Sequence, residues 1–296
     1  MIMVVSHWSA NVAVLTVYVL VAVTHLIGVR GEAIDAKWQG RSLPPGRLVE
    51  AAVFQFGLLI ALLALVSPIG YWSYRFIWVR NTQDVMLAFA APAFIVLGAP
   101  WLPLSRGLGL RRRGSPGEGA PGTAAGGWLP GWQAGPILAA AVFSVVWWVW
   151  HLTGPFDAAL RSPALYAAEV VTYLGVGIWF WLQLIGSRPL SPAMSPLNRI
   201  ALVIAAAASS TVLGLIRVYS GGLTYPAYRN PHHSVFSVVT DQQVGGGILW
   251  VIPLVPFTIV AIALAVGWLQ QDESASDTSA LDRLLRQRSA WPSRPG

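Results

Sequence analysis

Apolar residues run along the chain in seven long blocks separated by shorter polar stretches. The blocks lie at about 10–29, 49–71, 83–104, 135–152, 164–185, 197–217 and 245–269. Each approaches the roughly 20 residues that a helix needs to cross the hydrocarbon of a bilayer. The pattern predicts an all-α integral membrane protein, a seven-transmembrane-helix bundle occupying 1–271. No Lys or Arg precedes the first block, and it is long for a cleaved signal peptide, so it reads as a span. Two segments fall outside the pattern. GSPGEGAPGTAAGG, residues 114–127, is a Gly/Pro/Ala linker with no face to bury. The 272–296 stretch is a polar tail in which ALDRLLRQR could form a short surface helix.

Composition agrees with that reading. The 296 residues are 55% hydrophobic and only 10% charged, where a soluble domain carries about 25% charged residues. There is no cysteine, which excludes disulfides, thiolate ligands and thiol catalysis. Fifteen tryptophans suit wide interfacial belts. The net charge of +7 sits in the loops between spans and reads as a topology signal, not as a nucleic-acid surface. Fourteen of the nineteen basic residues fall on one side: Arg30, Lys37, Arg41 and Arg47; Arg106 and Arg111 to Arg113; Arg188 and Arg199; and four in the tail. The other side holds Arg75, Arg80, Arg161, Arg217 and Arg229. The positive-inside rule therefore predicts the N-terminus outside and the C-terminus cytoplasmic.

The chemistry concentrates around the stretch Val146 to Glu169. There an apolar, Trp-rich helix ends at His151, breaks at Gly154 and Pro155, and crosses a short loop with Asp157 and Arg161. It then opens a second apolar helix holding Glu169. Ionisable residues at membrane-helix ends are costly and call for a reason. On the predicted topology the same outer side collects Arg80, Asn81, Gln83 and Asp84, the His232–His233 pair, and Asp241 with Gln242. The inner half offers little beyond His25, Gln55 and Gln183. Each residue also has a plainer role. His151 could cap carbonyls at a helix end, and Glu169 could pair with Arg80, Arg161 or Arg217. Asp84 suits a helix N-terminus, Asp241 could cap the last span, and His232–His233 could be a solvated loop. Gly245 to Gly247 would let helices approach, and Trp147, Trp148 and Trp150 would form an interfacial belt. Imidazole and carboxylate groups arriving at one depth from several helices also suit copper, zinc or iron.

Three stretches resemble the CtaG family of cytochrome c oxidase assembly factors. They are QDVMLAFAAPAFIVLGAPW (Gln83 to Trp101), VWHLTGPFDAALRSPALYAAEVVTYL (Val149 to Leu174) and LTYPAY followed by DQQVGGGILWV (Leu223 to Val251). They cover the third to seventh spans in order. The resemblance implies a seven-helix protein of the bacterial plasma membrane, without enzymatic activity, that partners haem-copper oxidase subunits and membrane lipid. It also implies copper handling on the extracytoplasmic side. The family's motif histidines would fall at Arg80, Asp84, Tyr166 and Val170, and His151 alone matches.

Two readings follow. In the first, the chain is an assembly factor presenting copper outside, with His151, His232, His233, Glu169 and Asp241 as ligands. Arg80, Gln83, Asp84 and Gln242 would then be supporting ion-pair or hydrogen-bond partners. In the second, it is an accessory subunit whose metal site has decayed into an ion-pair network of Arg80, Asp84 and Glu169. A transporter would call for an inverted repeat, and a haem protein for paired histidines deep in facing helices; neither pattern is in the sequence.

Overall fold

The computed structural model describes residues 7–9, 11–110, 135–229 and 237–289. His232, His233 and the 114–127 linker lie outside the described residues. Among the described residues the chain is all helix, apart from one two-residue bridge at Ser187 and Leu190.

The helices are α1 (Val12–Trp38), α2 (Arg47–Val66), α3 (Pro68–Trp72), α4 (Ile77–Val85), α5 (Ala91–Leu97) and α6 (Trp101–Gly107). After the linker come α7 (Pro136–Trp150), α8 (Thr153–Arg161), α9 (Pro163–Leu184), α10 (Pro196–Val218) and α11 (Val238–Ser289). Ser-Pro pairs start three of them. Ser67, Ser162 and Ser195 each accept a backbone N–H from the first turn, at 3.2, 3.4 and 3.4 Å, and the following proline takes the position where no donor is needed.

Among the described residues five helices are each long and apolar enough to cross a bilayer, and there are up to seven spans if each of two bent pairs counts as one. In the first bent pair, Ile77–Leu97 turns by 80° into Trp101–Gly107. The turn falls at Gly98-Ala99-Pro100, where Ala99 adopts φ +43° and the proline blocks continuation of the helix. In the second, Pro136–Trp150 turns by 69° into Thr153–Arg161. The expected short loop around Asp157 and Arg161 is therefore helical: α8 buries Phe156, Asp157 and Ala159 and leaves Arg161 outside. The polar stretch after Asp272 likewise continues the backbone of α11 to Ser289.

Between α4 and α5 the chain makes a π-helical turn, Met86–Ala90, immediately ahead of Pro92. A wider turn accommodates the carbonyls left without a partner by the proline ring. Beside it lies an aromatic core in which Phe89 meets Trp147 and Phe143 edge-on at 4.9 and 5.1 Å, and Phe143 stacks on Phe180 at 4.5 Å.

Two of the three consecutive glycines explain how α11 seats. A Cβ on Gly246 would lie 2.8 Å from the Gly214 carbonyl oxygen of α10, and one on Gly245 would lie 2.7 Å from Asn81 Nδ2 of α4. Gly247 faces open space. Small residues here let α11 touch two neighbours at once. The outward surface is apolar, with Val17, Leu20 and Ile27 on α1 and Val251, Val255, Ile259 and Ile262 on α11 exposed, a surface suited to lipid.

Candidate functional site

The ends of α2, α7 and α10 meet the starts of α4, α9 and α11 at one end of the bundle. A polar cluster sits just below that end. Arg80, Asp84, His151 and Glu169 are each no more than 1% exposed. The Arg80 guanidinium bonds Glu169 through Nη2, and its Nε lies 3.5 Å from Asp84 Oδ1, one helical turn along α4. Of the three arginines that could have paired with Glu169, the packing selects Arg80. The guanidinium also lies over the rings of Tyr166, at 5.0 Å, and Phe156, at 5.7 Å.

His151 stands at the bend that ends α7. Its Nδ1 lies 2.7 Å from the Trp147 carbonyl and its Nε2 3.8 Å from Asp84 Oδ2. Facing a carbonyl oxygen, Nδ1 is the nitrogen that carries hydrogen, which leaves Nε2 toward the carboxylate. Tyr173 OH lies 3.4 Å from Nδ1. The bend also frees the His151 carbonyl from helical pairing. It accepts from Tyr225 OH at 2.9 Å and from Arg217 Nη2, so two side chains supply what the broken helix removed.

The other polar residues at this end secure the frame. Gln83 donates to the Ala64 carbonyl at 2.7 Å and to Tyr166 OH at 2.8 Å, tying α4 to α2 and α9. Asp241 caps a helix other than its own. Its Oδ2 accepts Ile77 N at 2.9 Å and its Oδ1 accepts Trp78 N at 3.1 Å, so both oxygens serve the first turn of α4, whose own N-cap Phe76 has no acceptor. Gln242 holds the 219–228 loop, accepting Thr224 N at 2.8 Å and donating to the Gly222 carbonyl at 3.1 Å. In that loop Tyr225 stacks on Phe156 at 3.9 Å and Tyr228 OH donates to the Ser73 carbonyl at 2.6 Å, which roofs the cluster.

Several residues take roles that their sequence neighbourhood did not announce. Trp147 is not an interfacial residue; it is 1% exposed and packs in the aromatic core. Trp148 and Trp150 donate across helices to Ser209 Oγ at 3.0 Å and Thr172 Oγ1 at 2.9 Å. The opposite end of the bundle also carries more charge than the hydropathy pattern indicated. Arg47 binds Glu32 at 2.7 Å and Glu50 at 2.9 Å, Arg106 binds Asp35 at 2.7 Å, and Arg188 reaches Glu50. Charges spaced along α1 and at the start of α2 were the available signal.

As a set of metal donors this cluster is poor in the right chemistry. It supplies one imidazole, with Nδ1 committed to a carbonyl, and two carboxylates that share a guanidinium. Among the described residues no group of three or more His, Asp or Glu is placed to hold a metal ion. Copper(I) favours thiolate, thioether and imidazole ligands, and a permanent positive charge amid the donors repels a second cation. The described residues therefore do not fit a copper ion. As a charge-neutralising junction between α4, α7 and α9 they are well arranged.

A family model described as cytochrome c oxidase caa3 assembly factor (Caa3_CtaG) matches residues 32–271. An uncharacterized protein of Mycobacterium bovis and another of Mycobacterium tuberculosis are each 26% identical over 245 residues, which is 79% of this chain and 36% of theirs. An uncharacterized protein of Mycobacterium leprae is 24% identical over 257 residues, 83% of this chain and 38% of that protein. The chain thus spans little more than a third of the length of these curated relatives. No solved structure matches.

Proposed function

The chain belongs to the cytochrome c oxidase caa3 assembly factor family, and from that premise we propose that it serves a haem-copper oxidase in the bacterial plasma membrane as a non-catalytic accessory protein. On this reading its outer end is held by a buried ion-pair network and not by a bound metal. The supporting observation is the Arg80 guanidinium, fully buried and set between Glu169 and Asp84. A buried charge persists in a membrane bundle only when partners neutralise it, and this junction ties together the helices that form the outer end. The loop-charge asymmetry supports an extracytoplasmic position for that end. Partner helices of the oxidase, or lipid, would then cover the apolar flanks.

The rival function is copper delivery, with His232 and His233 joining His151. Purification of the full chain with its oxidase separates the two. On the accessory reading the chain stays with the mature oxidase in stoichiometric amount, and the purified chain carries no copper above background. Copper at about one ion per chain, lost on His151→Ala, would overturn it.

A further inference from the structure

Tyr71, Tyr74 and Arg75 lie beside the Arg80 cluster and take no part in the junction described above, and Tyr166 borders both. They line a half-open cavity of about 580 Å³ where α2 ends and α4 and α9 begin. Its walls carry Ser9, Asn11, Tyr71, Tyr74, Arg75 and Tyr166, with Leu65 as an apolar edge. Residues 7–9 close one side, held by Ser9 N to the Val66 carbonyl at 2.9 Å and by His7 stacked on Tyr71 at 4.3 Å.

The lining is polar and phenolic and, among the described residues, carries no acid. Among those residues the Arg75 guanidinium makes no ion pair or hydrogen bond. It rests only on the Tyr71 and Trp72 rings, at 5.0 and 5.4 Å. Stacking positions a guanidinium while leaving its N–H fork unspent. Tyr166 OH accepts from Gln83, so its own hydrogen remains to be donated. Burial pushes the Tyr74 phenol up from its ordinary value, which keeps it a donor. A guanidinium with no counter-ion among the described residues, set among phenols at a helix-end interface, matches the charge and geometry of a phosphate group.

The geometry points to a binding site for a phosphate group in this cavity, carried by an anionic phospholipid headgroup or free in solution. Tyr166 borders both sites, but Arg75, which supplies the charge, is not part of the Arg80 cluster, so this site does not rest on the ion-pair reading.

The test is native mass spectrometry of the full chain in detergent, titrated with phosphatidylglycerol, with phosphatidylcholine and with inorganic phosphate. Phosphatidylglycerol is expected to bind saturably and more tightly than phosphatidylcholine. Arg75→Gln should weaken that binding about tenfold or more, and Tyr74→Phe by roughly two- to fivefold. Arg229→Gln, an exposed arginine in the 219–228 loop region of the same bundle end, should leave binding unchanged. If millimolar inorganic phosphate binds and displaces the lipid, the site stands and its ligand is free phosphate; if only lipid binds, the ligand is the headgroup. Equal binding by wild type and Arg75→Gln, or equal losses in Arg75→Gln and Arg229→Gln, would overturn the site. Matching thermal melts of the variants and wild type guard against misfolding as the cause of any loss.

Discussion

Replacing Arg80 by methionine tests the junction most directly. Methionine keeps much of the length and the apolar contact over Phe156 and Tyr166 but removes the charge. Asp84 and Glu169, each 1% exposed, would then remain as two buried carboxylates with no counter-charge. Stripping one partner from a buried pair typically costs about 3–5 kcal/mol, and here two acids are stranded, so the upper half of that range is expected. Glu169→Gln is milder, because Arg80 keeps Asp84 at 3.5 Å, and about 1–3 kcal/mol should be lost. The double variant Arg80→Met/Glu169→Gln strands only Asp84, which still faces His151 at 3.8 Å. Its loss should therefore fall short of the two single losses combined by at least about 1 kcal/mol. Equilibrium unfolding in mixed micelles, followed by tryptophan fluorescence, measures all three. The reasoning fails if Arg80→Met costs less than about 1 kcal/mol, or if the two substitutions simply add.

Other consequences are more local. Gly214→Ala would set a Cβ 2.7 Å from the Gly246 carbonyl oxygen, and the forced separation of α10 and α11 should cost about 1–3 kcal/mol in a thermal melt. Gly247→Ala meets nothing within 4 Å and should be neutral or slightly stabilising, through its helix preference. Asp241→Ala removes the acceptor of two N–H groups at the start of α4; it should cost about 0.5–2 kcal/mol and speed hydrogen exchange at Ile77 and Trp78, with Phe257, far along α11, as an unaffected reference. Tyr225→Phe leaves the His151 carbonyl with Arg217 as its remaining partner, and a loss of about 0.5–1.5 kcal/mol is expected in the same melt.

Much of the architecture follows from local composition. A bilayer requires about 20 apolar residues per crossing and internal satisfaction of every backbone group. All-helical structure and the approximate places of the helices are therefore legible along the chain, as is the gathering of His151, Glu169, Asp84 and Arg80 toward one end. The Ser-Pro pairs mark helix starts for an equally local reason. Partnership is different, because a residue's neighbours depend on how each helix is rotated and where it bends. One residue further along a helix turns a side chain by about 100°. Rotation selected Arg80 over Arg161 and Arg217 as the partner of Glu169, and turned Trp147 into the core. The 69° bend after Trp150 released the His151 carbonyl to Tyr225 and Arg217, and the seating of α11 on α4 sent Asp241 to cap a helix 160-odd residues away in sequence. Hydropathy sums along one dimension and is blind to these angles. Whether charged side chains converge as ligands around an ion or close upon one another as a salt bridge is settled only when the helices pack.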